Sequence, residues 1–192
     1  PRHPSGEVFT RPGTLMAGAG VFRIIIKGRA GHPAEPHHAL DPIPIASEIV
    51  LALQTYVTRR VKAFEPAVVT VTAIQAGSLE VGAIPETAIL TGTIRAVSEE
   101  TLDRLFKAVP ELAMKIASAH GALAEAKVDP GYPPTVNDPA VVEAIGEVSR
   151  GLLGKDHFRL LPTPIMPSED FSYILQRVPG AMAFLGARPD GQ

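Results

Sequence analysis

The sequence predicts an α+β protein. Residues 20–130 form a ferredoxin-like domain of split βαβ order, a four-stranded antiparallel sheet with two helices on one face, and an incomplete α/β segment follows. Two observations carry this reading. Alternating apolar runs and segments with helical apolar spacing succeed one another as strand, helix, strand, strand, helix, strand. At Gly131-Tyr132-Pro133-Pro134 the pattern breaks, and what remains offers too few elements to close a core alone.

Val21 to Lys27 reads as the first strand, stopped by Gly28. A loop rich in Gly, His and Pro follows from Gly31 to His38. Asp41-Pro42 then opens a helix, with Asp as N-cap and Pro at the first helical position. Its apolar stripe is Ile45, Ile49, Val50, Leu53 and Val57, and Arg59, Arg60 and Lys62 suit its negative end. Val68 to Ile74 and Ile89 to Val97 carry strand chemistry, joined by a loop with Gly77, Gly82 and Pro85.

Ser98 caps a second helix, with Glu99 and Glu100 in its first turn and an inward stripe from Leu102 to Ala117. Pro110 lies inside it and should kink it near Phe106. His120-Gly121 ends it, with Gly as the left-handed cap, and Ala122 to Val128 is the fourth strand. Beyond the break, Asp138-Pro139 repeats the cap of Asp41-Pro42 for a helix reaching Leu153. Ser168 is expected to cap another helix, with Phe171, Ile174 and Leu175 inward, before a short strand from Ala181 to Leu185.

The 192 residues include 18 Lys+Arg and 20 Asp+Glu, a formal net charge of −2. No basic excess exists to neutralise phosphates, so nucleic acid is not an expected partner. At 45% hydrophobic and 20% charged the chain is not disordered. No apolar run approaches the roughly 18–20 residues of a bilayer span, so no membrane partner is expected; the expected location is the cytoplasm. Cys is absent, which excludes disulfides and thiolate zinc sites. There is no Gly-x-Ser-x-Gly elbow, and Ala17-Gly18-Ala19-Gly20 precedes a strand, the wrong context for a phosphate loop. Pro1 at the start and the turn-like run Ala187 to Gln192 at the end suggest a fragment.

Three features bear chemistry. His32, His37 and His38, with Glu35 and Asp41, read either as a metal cluster or as a polar surface loop, and Asp41 is already used as a cap. Ser168-Glu169-Asp170-Phe171 reads either as acid–base or ligand-orienting carboxylates, or as the acidic first turn of a helix. Arg95, near a strand end, is either a bidentate carboxylate clamp or a solvent-facing Arg.

The pattern Gly28-x-x-Gly31-His32-x-x-x-Pro36-His37-x-x-x-Asp41-Pro42, then Gln54 and Arg59, resembles the lid domain of the dinuclear-metal amidohydrolases and peptidases. That family includes aminoacylase, hippurate hydrolase, the auxin-conjugate hydrolases, glutamate carboxypeptidase and succinyl-diaminopimelate desuccinylase. The resemblance continues in family order through Ile84-Pro85-Glu86, Gly92-Thr93-Ile94-Arg95 and His120-Gly121. It runs on through Gly131-Tyr132-Pro133, Asn137-Asp138, Ser168 to Tyr173 and Pro179-Gly180.

The resemblance implies a lid, or dimerisation, domain at 20–130, a linker or tail of the catalytic domain at 1–19, and its C-terminal part at 131–192. It implies hydrolysis of the amide in N-acyl amino acids or related small substrates. Two divalent metal ions, zinc-like or alternatively Mn or Co, are expected in the intact enzyme. Their ligands would lie outside this chain, with His3 not among them, so the chain alone should hold no metal and be inactive. His32 matches the family's lid His, which crosses a dimer and stabilises the oxyanion in the partner's site. Arg95 matches the Arg that binds the substrate carboxylate in some members. Gly82 stands where the family usually has Asn. A homodimer through the lid is implied, and the Val68–Ile74 strand, at a sheet edge in this order, is its expected seam together with the Asp41–Arg60 helix. The rival reading is a stand-alone dimerisation or ligand-sensing module, which leaves the Ser168–Phe171 block without a purpose.

Overall fold

Asp41 and Asp138 each stand one residue before a proline, and each starts a helix. In the computed structural model, which describes residues 3–188, Asp41 Oδ1 accepts the Ile43 N–H at 2.9 Å. Asp138 Oδ1 accepts those of Ala140 and Val141. The described chain runs β1 (Val8–Thr10), β2 (Gly13–Met16), β3 (Gly18–Lys27), α1 (Pro42–Arg60), β4 (Ala67–Ala76), β5 (Thr87–Ala96), α2 (Glu99–Ala119), β6 (Leu123–Pro130), β7 (Thr135–Asn137), α3 (Pro139–Leu153), β8 (Phe158–Leu160), α4 (Ser172–Leu175) and β9 (Phe184–Leu185). Among the described residues two units are present: Ala19–Gly131, and residues 3–18 together with 132–188.

The first unit is built on an antiparallel sheet of order β4-β5-β3-β6. This is the arrangement expected of the split βαβ order. Strict alternation along β3 and β5 turns Phe22, Ile24, Ile26, Leu90 and Ile94 to one face. There they meet Ile45, Ile49 and Leu53 of α1 and Leu102, Leu105 and Val109 of α2. Each such fully buried side chain contributes about 1.5–3 kcal/mol relative to exposure. α2 begins on Ser98, whose Oγ accepts the Thr101 N–H, and continues as one helix through Pro110. It stops at Gly121, whose φ of +76° suits a residue without Cβ.

β4 lies at the sheet edge, but it is not the regular strand expected. The register shifts between Val71 and Ala73. Thr72 sits in that bulge and donates its hydroxyl to the Thr91 carbonyl at 3.3 Å. The edge is therefore regular over Ala67–Val71 and again over Ala73–Ala76, with the bulge between them.

In the second unit β1 is central, parallel to β8 and antiparallel to β9, and β2 pairs with β7. Residues 8–16, read from sequence as part of a linker, thus contribute two strands. The helix expected from Ser168 does not form there. Glu169 Oε1, not a Ser168 hydroxyl, takes the Asp170 N–H, and the Ser172 N–H and hydroxyl both bond the Glu169 carbonyl. Helix begins only at Ser172 and lasts four residues, which leaves Ile174 exposed rather than inward. The strand expected from Ala181 is confined to Phe184–Leu185. Residues 189–192, the end of the run read as turn-like, and the first two residues lie outside the described residues.

Candidate active-site loops

β3 ends at Lys27, and at the next residue, Gly28, a Cβ would fall 2.0 Å from the Leu40 carbonyl oxygen, so only glycine permits this approach. The chain beyond is stapled at three points. Gly28 N–H donates to Glu86 O at 2.8 Å. Arg29 and Leu40 exchange both backbone hydrogen bonds at 2.9 Å. Gly31 and Ile84 do the same, at 3.4 and 3.0 Å. His32 follows immediately and is exposed. Its carbonyl accepts the Glu35 N–H at 2.9 Å, and its ring Nδ1 accepts the Ala34 N–H at 3.2 Å. An accepting Nδ1 carries no proton, so the neutral ring holds its N–H on Nε2. The loop presents an outward donor of defined tautomer.

The Ile84 side of the staple belongs to the loop between β4 and β5. Gly77 turns it with φ +66°, Ser78 Oγ accepts the Glu80 N–H, and the Ala83 N–H closes a tight turn on Val81 O at 2.8 Å around Gly82. A Cβ at Gly82 would meet no atom within 4 Å, and φ there lies outside the left-handed range, so its lack of a side chain is not imposed by the backbone. Leu79 is fully exposed and Val81 is 61% exposed.

Arg95 sits elsewhere. It is half-buried, opposite Val68, on the sheet face away from the helices, since Ile94 and Ala96 on either side are buried. Eight residue steps along β5 separate it from Thr87, the end of that strand next to the His32 staple. At the usual strand rise this is about 27 Å. One chain does not bring His32 and Arg95 together.

Nor does it assemble the histidine-rich cluster. The His37 and His38 rings lie 4.1 Å apart, both exposed, and Asp41 is engaged as a cap. Among the described residues no group of three or more His, Cys, Asp or Glu is placed to hold a metal ion. Three carboxylates with depressed pKa among the described residues, Glu7, Glu65 and Glu111, are engaged with other groups, Glu111 with Lys115. Glu65 is held below the usual range by hydrogen bonds from Ser98 and Thr101, and Glu7 by its hydrogen bond with Arg159. The coupling of the His32 loop to the β4–β5 loop was not read from the sequence. Its signal was the pair Gly28-x-x-Gly31 and Ile84-Pro85.

Residues 16–121 match the model of the peptidase dimerisation domain. The chain belongs to the M20 peptidase family. It is 37% identical over 193 residues to the Arabidopsis thaliana IAA-amino acid hydrolase ILR1-like 2, covering 98% of this chain and 43% of that protein. It is 35% identical to the Bacillus subtilis N-acetyl-L-cysteine deacetylase, covering 96% of this chain and 44% of that one. Among solved structures it is similar to the Bacillus subtilis YXEP protein, a dinuclear metal binding peptidase from the M20 family. That match has a TM-score of 0.73 and 30% identity, and covers 97% of this chain and 45% of the other. This M20 chain thus spans about half the length of the relatives it matches. The paired metal ions of the YXEP protein have no fitting set of ligands among the described residues.

Proposed function

We propose that this chain supplies the dimerisation domain and an adjoining part of the catalytic domain of an amidohydrolase that cleaves the amide of N-acyl amino acids or related small substrates. Relatives named as IAA-amino acid hydrolase, N-acetyl-L-cysteine deacetylase and N-acetyldiaminopimelate deacetylase share that linkage. The carrying observation is His32: exposed, next to a doubly stapled backbone pair, with Nδ1 occupied and Nε2–H free to donate. Such a donor, rigidly held, stabilises negative charge as it develops on a carbonyl oxygen. Arg95 binds the substrate carboxylate with its planar fork. The protein works as a homodimer joined along β4 and α1, and the two divalent ions of the intact enzyme rest on groups other than those described. The chain by itself does not turn over substrate.

Because His32 and Arg95 stand at opposite ends of β5, each site takes Arg95 from one protomer and His32 from the other. In the full-length gene product, His32→Ala should lower kcat/KM by about 10²–10³, the usual loss for an oxyanion donor, and Arg95→Ala should mainly raise KM. Mixing the two variants under exchange conditions should restore about a quarter of the activity, since half the dimers are mixed and one of their two sites is intact. No restoration from stably mixed dimers would overturn the shared site.

A further inference from the structure

Resting on the function proposed above, we infer that the loop carrying Leu79 and Val81 sets specificity for the acyl group of the substrate, favouring bulky apolar acyl chains. Three observations converge. First, the loop is tied to the residue before His32 by the paired hydrogen bonds of Gly31 and Ile84. That bridge places the base of the loop next to His32, on the side from which the ring would meet a carbonyl oxygen in this inference. Second, its tip is apolar and uncovered: Leu79 is fully exposed and Val81 61% exposed, while the backbone between them is ordered by the Ser78–Glu80 and Val81–Ala83 hydrogen bonds. Exposed large aliphatic side chains on a locally braced turn are suited to contact with an apolar group from elsewhere. Third, Gly82 beside them brings no polar side chain, although the space is open to one. The loop has nothing at that position to hydrogen-bond an amide and two side chains to bury a hydrocarbon.

A scissile carbonyl has two flanks. The amino-acid flank bears the carboxylate, for which the half-buried Arg95 is the matching cation. The flank left for an apolar contact is the acyl group. A linear or aromatic acyl chain would lie against Leu79 and Val81 of the protomer that donates His32, whereas an acetyl group is too short to cover them.

The test uses the full-length gene product with one amino acid carrying an acetyl, hexanoyl or benzoyl group. Leu79→Ser and Val81→Ser should each lower the ratio of kcat/KM for the hexanoyl or benzoyl substrate to that for the acetyl substrate by about tenfold, the low end of what a methylene-sized apolar contact discriminates. Leu123→Ser, an exposed leucine on the far edge strand, should leave the ratio unchanged. Both loop side chains are exposed, so neither change threatens the fold. A constant ratio in the loop variants, whether activity holds or falls equally for all three substrates, overturns the inference alone. Failure of the unmodified enzyme to cleave any N-acyl amino acid overturns the function proposed above as well.

Discussion

Asn137 and Met182 exchange two hydrogen bonds through the Asn137 side chain. Nδ2 donates to Met182 O at 3.0 Å, and the Met182 N–H donates to Oδ1 at 2.8 Å. The same Nδ2 lies 3.0 Å from Thr10 Oγ1 and from Arg11 O, and the residue is 1% exposed. A single side-chain amide therefore takes the place of a strand edge among β1, β7 and the segment leading into β9.

Replacing Asn137 by Ala should destabilise the second unit by about 3 kcal/mol, because several buried backbone partners lose their mates together. Urea unfolding followed by a signal from that unit would measure it. A loss below about 0.5 kcal/mol would show that water replaces the amide at no cost.

Glu65 links the segment after α1 to the start of α2. It accepts hydrogen bonds from Ser98 Oγ and Thr101 Oγ1, with Arg104 3.9 Å away. These interactions depress its pKa in the folded state. A carboxyl group so depressed adds stability above its unfolded pKa, and that contribution disappears as pH falls through the lower folded value. Glu65→Gln should therefore be less stable than the parent at pH 7, and the gap should shrink in acid. Thermal melts from pH 7 down to pH 3 would check this, and a gap that widens in acid would refute it.

Dimerisation is expected along the edge strand β4, where the bulge at Thr72 separates two regular stretches, Ala67–Val71 and Ala73–Ala76. Thr70→Pro should shift the protein toward monomer in light scattering while circular dichroism retains its helix signal. A dimer unaffected by the proline would place the seam elsewhere.

The two units should differ in hydrogen exchange. Ala19–Gly131 buries long apolar stripes from both helices and two strands. The other unit leaves Val148, Leu152, Leu160, Ile174 and Leu185 exposed. Amides of β3, β5 and α2 should be the slowest, and those of α3 and β8 markedly faster. Equal protection in the isolated chain would contradict this.

Helix starts were legible residue by residue. Asp41, Ser98 and Asp138 cap where expected, because a cap needs only a side-chain oxygen two or three residues from a free N–H. The same logic failed at Ser168, where Glu169 competes for the same local donors. His32 and Arg95 were legible as candidates, but not their separation along β5.

The sequence by itself determined the order of elements between residues 20 and 130, the caps at Asp41, Ser98 and Asp138, the apolar faces of α1 and α2 and the edge position of β4. All of these follow from contacts within a few residues or from periodicity. Only the tertiary structure decided that residues 8–16 form strands with partners more than 100 positions away, that Thr72 bulges the edge, and that Gly31 locks onto Ile84. Such pairings are chosen by packing and by the need to satisfy backbone groups across long loops, and no local pattern encodes them.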